Sequence, residues 1–309
     1  MYYLLIPLAL LVIYLTAGFC IFQIAFRHRR DPDWNDPQVL ENTSWQEFAP
    51  IIADSIAWLN SQRAQDVCIQ SFDGLTLCGK WIPREDARGT IILFHGYRSN
   101  YLTDFGRIMP IYHDFGFNLL LVRQRAHDGS QGKYITFGVH ERRDALRWID
   151  YHNRTWGNIP LFLGGMSMGA STVLFTAGEQ LPDNVRGATA DCGFTSPWEI
   201  IGKVMRDRTR LNLNFMLPAI NFWCRTLAGF DMTSCHTTKT LNHARIPVFM
   251  LHGEADDFVP CDMSRAGFAA CSSEKQLLTV KDAGHGTSYL FEPERVRTEL
   301  LAFFEKHLQ

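Results

Sequence analysis

A serine lies at the centre of a glycine-bounded turn, Gly165-Met166-Ser167-Met168-Gly169, in the middle of the chain. An apolar run over residues 160–164 precedes the turn, and a stretch of helical character follows it to about Gln180. A serine between a strand and a helix is held in a strained conformation, and small residues on either side let the two elements pass close together. The hydroxyl is then exposed above the sheet edge, where it could act as a nucleophile. The helix N-terminus behind it favours negative charge, as a developing oxyanion requires.

A base and an acid that could activate this serine follow it in the chain. The predicted strand ending at Gly253 leads into a loop with neighbouring carboxylates, of which Asp256 is the predicted acid; Asp257 is an alternative, and both could instead cap the loop. The last predicted strand leads to His285, which lies between two glycines and is the predicted base. A serine hydroxyl is protonated at neutral pH, so it needs an imidazole within hydrogen-bond reach and a carboxylate that fixes the imidazole tautomer. Ser167, Asp256 and His285 are therefore predicted to form a catalytic triad.

An upstream loop could stabilise the negative charge of an oxyanion. Phe94-His95-Gly96-Tyr97 closes a predicted buried strand. The backbone amides of Tyr97 and Met168 are predicted to converge on the oxyanion. His95 and His252 are predicted to orient loops by hydrogen bonding rather than to take part in the chemistry.

The chain around these residues alternates between apolar strands and helical stretches. After a predicted hairpin over residues 67–82, strands are predicted at residues 90–94, 118–122, 161–164, 188–190, 247–251 and 276–280. This alternation predicts an α/β fold with a mostly parallel sheet flanked by helices and a ligand site at the carboxyl ends of the strands. Residues 195–242 read as two or three apolar helices without a strand, and they are predicted to form a helical lid insertion. Their apolar side chains could pack within the lid or line an acyl pocket.

The first 26 residues contain no Asp, Glu, Lys or Arg. At about 1.5 Å per residue, a helix of this length crosses a hydrocarbon layer of roughly 30 Å. Residues 1–26 are therefore predicted to be a transmembrane anchor, with a cleavable signal peptide or a buried soluble helix as alternatives. A signal peptide is disfavoured because no basic residue precedes the apolar run and no small-residue cleavage site ends it. The basic run at residues 27–30 predicts a single-pass membrane protein whose C-terminal domain lies in the cytoplasm.

Residues 27–65 are predicted to connect this anchor to a globular domain of residues 66–309. The stretch from Arg27 to Asp36 is polar and contains Pro32, which is typical of a short tether. Ser44-Trp45-Gln46-Glu47 fits a capping box, and apolar residues then recur at helical spacing as far as Leu59. The predicted amphipathic helix would pack on the domain or lie at the membrane interface.

Composition disfavours several classes of function. The net charge of −2 provides no broad basic surface, so nucleic acid is not a predicted partner. The eight cysteines contain no C-x-x-C pair, which argues against a zinc knuckle or a thioredoxin-type motif. They are predicted to be reduced and buried, with disulfides as the alternative. The sequence does not indicate an oligomeric state.

The motifs of residues 66–309 resemble those of the α/β-hydrolase superfamily. The resemblance rests on four segments: Leu93-Phe-His-Gly96, the turn around Ser167, His252-Gly-Glu-Ala-Asp256 with Val259-Pro260, and Ala283-Gly-His285. Bacterial hydrolases of this superfamily carry three further segments that the chain resembles: Arg125-Ala-His127, residues 132–138, and Glu141-Arg-Arg-Asp144. The chain departs from them at Asp128-Gly129-Ser130, where a glycine usually follows the histidine directly.

This resemblance implies the same site as the residues themselves: Ser167 as nucleophile, Asp256 as acid, His285 as base, and Tyr97 with Met168 as amide donors. It implies no metal and no organic cofactor. Members of the superfamily cleave esters, thioesters, amides and peptides, so membership does not name a substrate.

The preferred prediction is a serine hydrolase that cleaves an ester with an apolar acyl part through an acyl-enzyme, because the lid is apolar and the domain adjoins lipid. The first alternative is a serine aminopeptidase or amidase, with Glu254, Asp257 and Asp128 as candidates to bind a substrate amine. The second is a non-catalytic membrane-tethered binding protein. It is disfavoured because a binding scaffold has no physical need for a strained serine turn.

Overall fold

A computed structural model of the chain describes residues 2–29, 49–127 and 129–308. Within these residues the strands are β1 (Gln65–Gln70), β2 (Thr76–Ile82), β3 (Gly89–Phe94), β4 (Phe117–Val122), β5 (Leu161–Met166), β6 (Val185–Asp191), β7 (Val248–Gly253) and β8 (Lys275–Val280). The α-helices are α1 (Tyr2–Phe26), α2 (Ala49–Ser61), α3 (Tyr101–Phe105), α4 (Ile108–Asp114), α5 (Glu141–Trp156), α6 (Met168–Thr176), α7 (Pro197–Thr209), α8 (Leu217–Leu227), α9 (Thr237–Thr240), α10 (Cys261–Ala270), α11 (Ser288–Phe291) and α12 (Pro293–His307). The predicted capping box at residues 44–47, most of the predicted tether and Asp128 lie outside the described residues.

The strands form one sheet in the order β1-β2-β4-β3-β5-β6-β7-β8. β1 and β2 are an antiparallel hairpin, and β2 is also antiparallel to β4. The strands from β4 to β8 all run parallel. The predicted hairpin and the six predicted parallel strands are confirmed, with shifts of a few residues at their ends. A mostly parallel sheet with helices on both faces requires central strands that are apolar throughout, and β3 and β4 are buried along their whole length.

Aromatic side chains fill the core on both faces of the sheet. On one face, the Phe304 ring of α12 packs against Phe117 and Phe162, with ring centroids 5.2 and 4.9 Å apart. On the other face, Trp148 of α5 is completely buried. Truncating such a side chain to alanine typically costs about 3–5 kcal/mol, so these contacts hold the helices on the sheet that carries the site.

Helix α2 packs on the domain rather than standing free of it. Ile52 and Leu59 are buried in the cluster that contains Leu102 and Phe105 of α3. Over the described residues 49–61, this segment is therefore helical and packs on the domain.

Two cysteines correct the prediction that all eight are reduced. Cys68 and Cys78 lie directly opposite each other in the β1–β2 hairpin and form a disulfide. Sequence spacing does not give this register, which brings the two Cα atoms to 4.1 Å. Cys20 is a free thiol that is exposed rather than buried, while the other five free cysteines of the described chain are buried as predicted.

Helix α1 is long and apolar enough to cross a membrane, and it is the one such helix among the described residues. Its side chains from Leu5 to Ile13 are exposed, whereas Phe22 and Phe26 are completely buried in the domain. The Phe26 carbonyl accepts a hydrogen bond of 2.7 Å from the Ile135 amide. The C-terminal turns of α1 therefore belong to the folded domain. The polar segment after α1 had instead predicted a tether that separates the anchor from the domain.

Candidate active site

Ser167 occupies a sharp turn between β5 and α6. Its φ of 54° and ψ of −114° are strained values for a residue with a side chain. A Cβ atom on Gly165 would lie 2.3 Å from the Gly169 carbonyl oxygen, and one on Gly169 would lie 1.8 Å from that of Phe94. Only glycine fits these two positions, for the reason predicted from the sequence.

The three predicted triad residues meet above the carboxyl edge of the sheet. His285 Nε2 lies 2.9 Å from Ser167 Oγ, and His285 Nδ1 lies 2.7 Å from Asp256 Oδ2. When Nδ1 donates its proton to the carboxylate, Nε2 is free to accept the hydroxyl proton of the serine. The structure thus brings together residues that are 118 and 29 positions apart in the chain.

Asp256 is held in place by a full set of hydrogen bonds. Its Oδ1 accepts the backbone amides of Phe258 and Val259 at 2.9 and 2.8 Å, and the side chain is inaccessible to solvent. Burial alone would raise the pKa of the Asp256 carboxyl, but hydrogen bonds from His252 and His285 outweigh burial and hold the pKa well below its usual range. The carboxyl therefore stays ionised beside the imidazole. Asp257, the alternative acid, is exposed, and it contacts Lys203 through its backbone carbonyl.

The loop after β3 passes directly beside the serine. A Cβ atom on Gly96 would lie 3.3 Å from Ser167 Cβ. Phe94 of β3 pairs in parallel with Gly165 of β5, so Tyr97 and Met168 follow neighbouring strands at the same sheet edge. This placement is compatible with two amides that point to one oxyanion.

His95 and His252 are loop-positioning residues, as predicted. His95 Nε2 accepts the Gln124 amide at 3.1 Å, and burial lowers its pKa to about 4, so the ring is neutral. His252 Nε2 lies 2.8 Å from the Val259 carbonyl oxygen, and its Nδ1 lies 2.7 Å from Ser264 Oγ. These contacts fix the loop that carries Asp256.

The segments that resemble those of bacterial hydrolases have a structural role near the site. Arg125 donates two hydrogen bonds, of 2.6 and 2.7 Å, to Asp144 on α5, and it also pairs with Asp73 in the turn of the hairpin. Glu141 accepts the Thr136 and Gly138 amides at 2.8 and 2.9 Å. These bonds hold the loop after β4, which adjoins His95.

The thiol of Cys192 also lies close to the triad, and no motif in the sequence predicted its position. Its Sγ is 3.9 Å from His285 Nε2. The ligand atoms of Cys192, Asp256 and His285 lie within 4.8 Å of one another, a spacing that a metal ion could bridge. Burial raises the pKa of the Cys192 thiol well above its usual range, and a protonated thiol is a poor metal ligand. In addition, His285 Nδ1 and Asp256 Oδ2 are hydrogen-bonded to each other, so a metal ion would have to break this bond to use either atom as a ligand.

A cavity of about 370 Å³ opens beside Ser167 and His285. Its apolar wall comes from the central strands and from the helices on one face of the sheet, and it includes Leu93, Phe105, Ile108, Phe249, Leu251 and Leu300. The described residues that line it include none from 195–242. The buried apolar side chains of the lid instead form a separate cluster with Phe22 and Phe26 of α1 and with neighbouring parts of the domain.

Two aspartates that the sequence did not single out line the same cavity. Asp104 Oδ2 accepts the Gly96 amide at 2.6 Å, and burial raises the pKa of its carboxyl. Asp191 ends β6, and its backbone carbonyl accepts the Ser167 amide at 2.8 Å. Its Oδ1 is buried without a hydrogen-bond partner in the described chain, and burial raises the Asp191 pKa to about 7. Its position at the carboxyl end of a strand could have predicted a site residue, but the predicted strand ended at residue 190, one residue before Asp191. Glu254 and Asp257 do not line this cavity.

The chain is similar to known proteins at modest identity. No model of a known protein family matches it. It is 26% identical over 238 residues to the uncharacterised protein YqkD of Bacillus subtilis, an alignment that covers 77% of this chain and 78% of YqkD. In structure it is similar to the Pyrococcus furiosus esterase Pf2001, with a TM-score of 0.68, 20% identity, and coverage of 92% of this chain and 100% of the esterase. It is also similar to the Pyrococcus horikoshii acylaminoacyl peptidase, with a TM-score of 0.59, 15% identity, and coverage of 82% of this chain and 43% of the peptidase. Together with the parallel sheet and the serine turn, these similarities identify the chain as having the fold of the α/β-hydrolase superfamily.

Proposed function

We propose that the protein is a serine hydrolase that is anchored in a membrane by α1, with its C-terminal domain on the cytoplasmic side as the basic run at residues 27–30 predicts. The observation that carries this proposal is the hydrogen-bonded chain from Ser167 through His285 to Asp256, with the serine on a strained turn. Backbone strain of this kind costs on the order of 1–3 kcal/mol and persists mainly where function requires it. The folds of a named esterase and a named peptidase also support hydrolase activity.

The reaction follows from the atoms at the site. Ser167 Oγ attacks the acyl carbon while His285 Nε2 takes the hydroxyl proton, and the carbonyl oxygen becomes an oxyanion. The Tyr97 and Met168 amides stabilise this charge, and removing one such donor typically slows turnover about a hundredfold or more. His285 then gives the proton to the leaving alcohol as the acyl–oxygen bond breaks. Water, deprotonated by the same imidazole, releases the acid from the acyl-enzyme.

The preferred substrate is a carboxylic ester with an apolar part. The cavity beside the serine has an apolar wall that includes Leu93, Phe249 and Leu300. Its volume of about 370 Å³ suits a small or medium acyl chain. The anchor also keeps the domain close to lipid. Burial of one methylene group contributes about 0.8 kcal/mol, so each added carbon that fits should raise kcat/KM severalfold.

A fluorophosphonate probe tests the nucleophile directly. The full chain should be labelled at Ser167, and labelling should be lost in Ser167→Ala and His285→Ala. Ser171→Ala is the matched control, because this serine lies one turn along α6 with its hydroxyl bonded to the Phe194 backbone. Absence of labelling in protein that unfolds cooperatively would overturn the proposal. Inactivity toward a broad panel of esters and amides would then favour the binding-protein alternative.

A serine aminopeptidase or amidase is the second candidate, and the two half-buried aspartates of the cavity favour it. A substrate ammonium group could pair with Asp104 or Asp191, which lie in the same cavity as the nucleophile. In that case, turnover of aminoacyl amides should exceed that of short esters. Asp191→Asn should then raise KM for the aminoacyl amide and leave KM for a neutral ester unchanged.

A further inference from the structure

The lid carries a group of large apolar side chains on its outer surface. Leu211, Phe215, Phe222 and Leu227 are 60%, 62%, 45% and 43% exposed. They lie on α8 and on the turn that precedes it. Single exposed apolar residues need no explanation, but four of them on one helix and the turn before it indicate a contact surface.

This part of the lid is fixed to α1 by close contacts. Trp223 Nε1 donates to the Leu15 carbonyl at 2.8 Å, and the Tyr14 hydroxyl donates to the Phe215 carbonyl at 2.7 Å. A Cβ atom on Gly18 would lie 2.6 Å from Ala219 Cβ, so the two helix backbones approach closely. Helix α8 therefore lies beside the middle of α1 and shares its surroundings.

The length of α1 decides what those surroundings are. Its exposed part among the described side chains, from Leu5 to Ile13, is about 14 Å long at 1.5 Å per residue. A membrane span needs about 20 residues to cross roughly 30 Å of hydrocarbon. If α1 spans the membrane, the segment from Tyr14 to about Ile21 must lie in the hydrocarbon as well. That segment is the one in contact with α8.

Charged side chains occur where this arrangement would place the lipid headgroups. Arg206 and Arg208 are exposed near the end of α7. Burial raises the pKa of Tyr97, and the positive charges of Arg98, Arg29 and Arg208 oppose this rise. The Tyr97 hydroxyl donates to the Ala25 carbonyl at the domain end of α1. After α7 the chain runs along α1 toward its N-terminus and reaches Phe215 beside Tyr14. Helix α8 then runs back toward the C-terminal end of α1, where the Phe230 ring packs on Phe26 at 5.7 Å.

We propose that the lid turn and α8 are immersed in the lipid bilayer beside α1, with Leu211, Phe215 and Phe222 in the acyl-chain region and the arginines of α7 at the headgroups. The inference rests on the membrane insertion of α1 in the proposed function. It goes further because it makes a catalytic-domain element, and not the anchor alone, a lipid-binding surface. The cavity beside Ser167 therefore lies next to the membrane end of the domain, because Tyr97 both contacts α1 and lines that cavity.

Depth-dependent quenching of a fluorescent label tests this placement in the full chain. Cys20→Ala removes the one exposed free thiol of the described chain, and single cysteines are introduced by Phe222→Cys, Leu10→Cys or Arg154→Cys for labelling with an NBD probe. Leu10 reports on α1. Arg154 is the aqueous control, because it lies in the last turn of α5, before β5 begins, at the sheet edge opposite Ser167. Each protein is reconstituted in phosphatidylcholine–phosphatidylglycerol vesicles with or without bromine on the acyl chains.

The expected result is that brominated lipid quenches the labels at positions 10 and 222 by about twofold or more, since immersion by about 5–10 Å brings a label to the acyl chains. The label at position 154 should be quenched by aqueous iodide only. Quenching at position 10 but not at 222 would overturn this inference and leave the anchor intact. Quenching at neither position would overturn the anchor and this inference together. Phe215→Cys serves as a second lid site if the Phe222→Cys variant melts at a lower temperature than its parent.

Discussion

The replacement of Asp256 by asparagine separates the proposed triad from a chance cluster. In one orientation, the new amide N–H₂ faces His285 Nδ1 at the present 2.7 Å, so the ring must accept a hydrogen bond there and carry its proton on Nε2. That tautomer cannot take the proton of Ser167. In the flipped orientation, the N–H₂ faces the amides of Phe258 and Val259 and leaves both unpaired, at a cost of about 1–3 kcal/mol each.

The unproductive tautomer is therefore the more stable one in the variant. We expect kcat/KM to fall about ten-thousandfold, which is equivalent to about 5.5 kcal/mol of transition-state stabilisation. Asp257→Asn makes the same change one residue away on an exposed side chain, and it should leave kcat/KM within about twofold because that carboxyl makes no contact with His285 in the described chain.

The measurement is kcat/KM on a p-nitrophenyl ester together with the second-order rate of fluorophosphonate labelling, for both variants and the wild type. Both rates should fall together in Asp256→Asn. The reasoning fails if this variant retains more than about a tenth of the wild-type rate, or if Asp257→Asn loses as much.

Three further outcomes are expected. Gly169→Ala places a Cβ atom 1.8 Å from the Phe94 carbonyl oxygen, so chemical denaturation should show a loss of about 3 kcal/mol or more, and an unchanged midpoint would refute the predicted clash. The raised pKa of Asp191 means that the folded state binds a proton more tightly than the unfolded state does, so this group lowers stability as pH rises from about 4 to about 7; urea titrations should show that Asp191→Asn reduces this loss, and equal pH slopes would contradict it. Cys68 and Cys78 are bonded in the structure, but a reducing cytoplasm would open this disulfide. If the domain is cytoplasmic as proposed, alkylation of intact cells before lysis should modify both thiols, whereas an oxidised pair would refute that orientation and place the domain on the oxidising side of the membrane.

The sheet and the triad were predictable because each depends on local pattern. Apolar runs such as residues 161–164 mark buried parallel strands, and the glycines around Ser167 are required by the turn itself. Asp256 and His285 were predictable from their positions after strands, since the carboxyl ends of parallel strands share one edge.

Features that depend on packing between distant elements were not predictable in this way. The Cys68–Cys78 disulfide depends on the register of the hairpin. Cys192 and Asp191 come near His285 only because β6 lies between β5 and β7 in the sheet order. Likewise, no periodicity in a uniformly apolar helix indicates that Phe22 faces the domain while Leu10 faces outward.

The burial of Phe22 and Phe26 bears on how the protein could be released from its membrane. Tyr134, Phe137 and Phe230 surround these two rings. A protease that cut just after Phe26 would remove them from the core and leave an apolar hollow, at a cost on the order of 6–10 kcal/mol if both contacts were lost. That is comparable to the whole stability of a typical domain. Such a cut would therefore yield an unfolded or aggregated fragment instead of a released, folded domain, and detergent extraction of the intact chain is the route to folded protein.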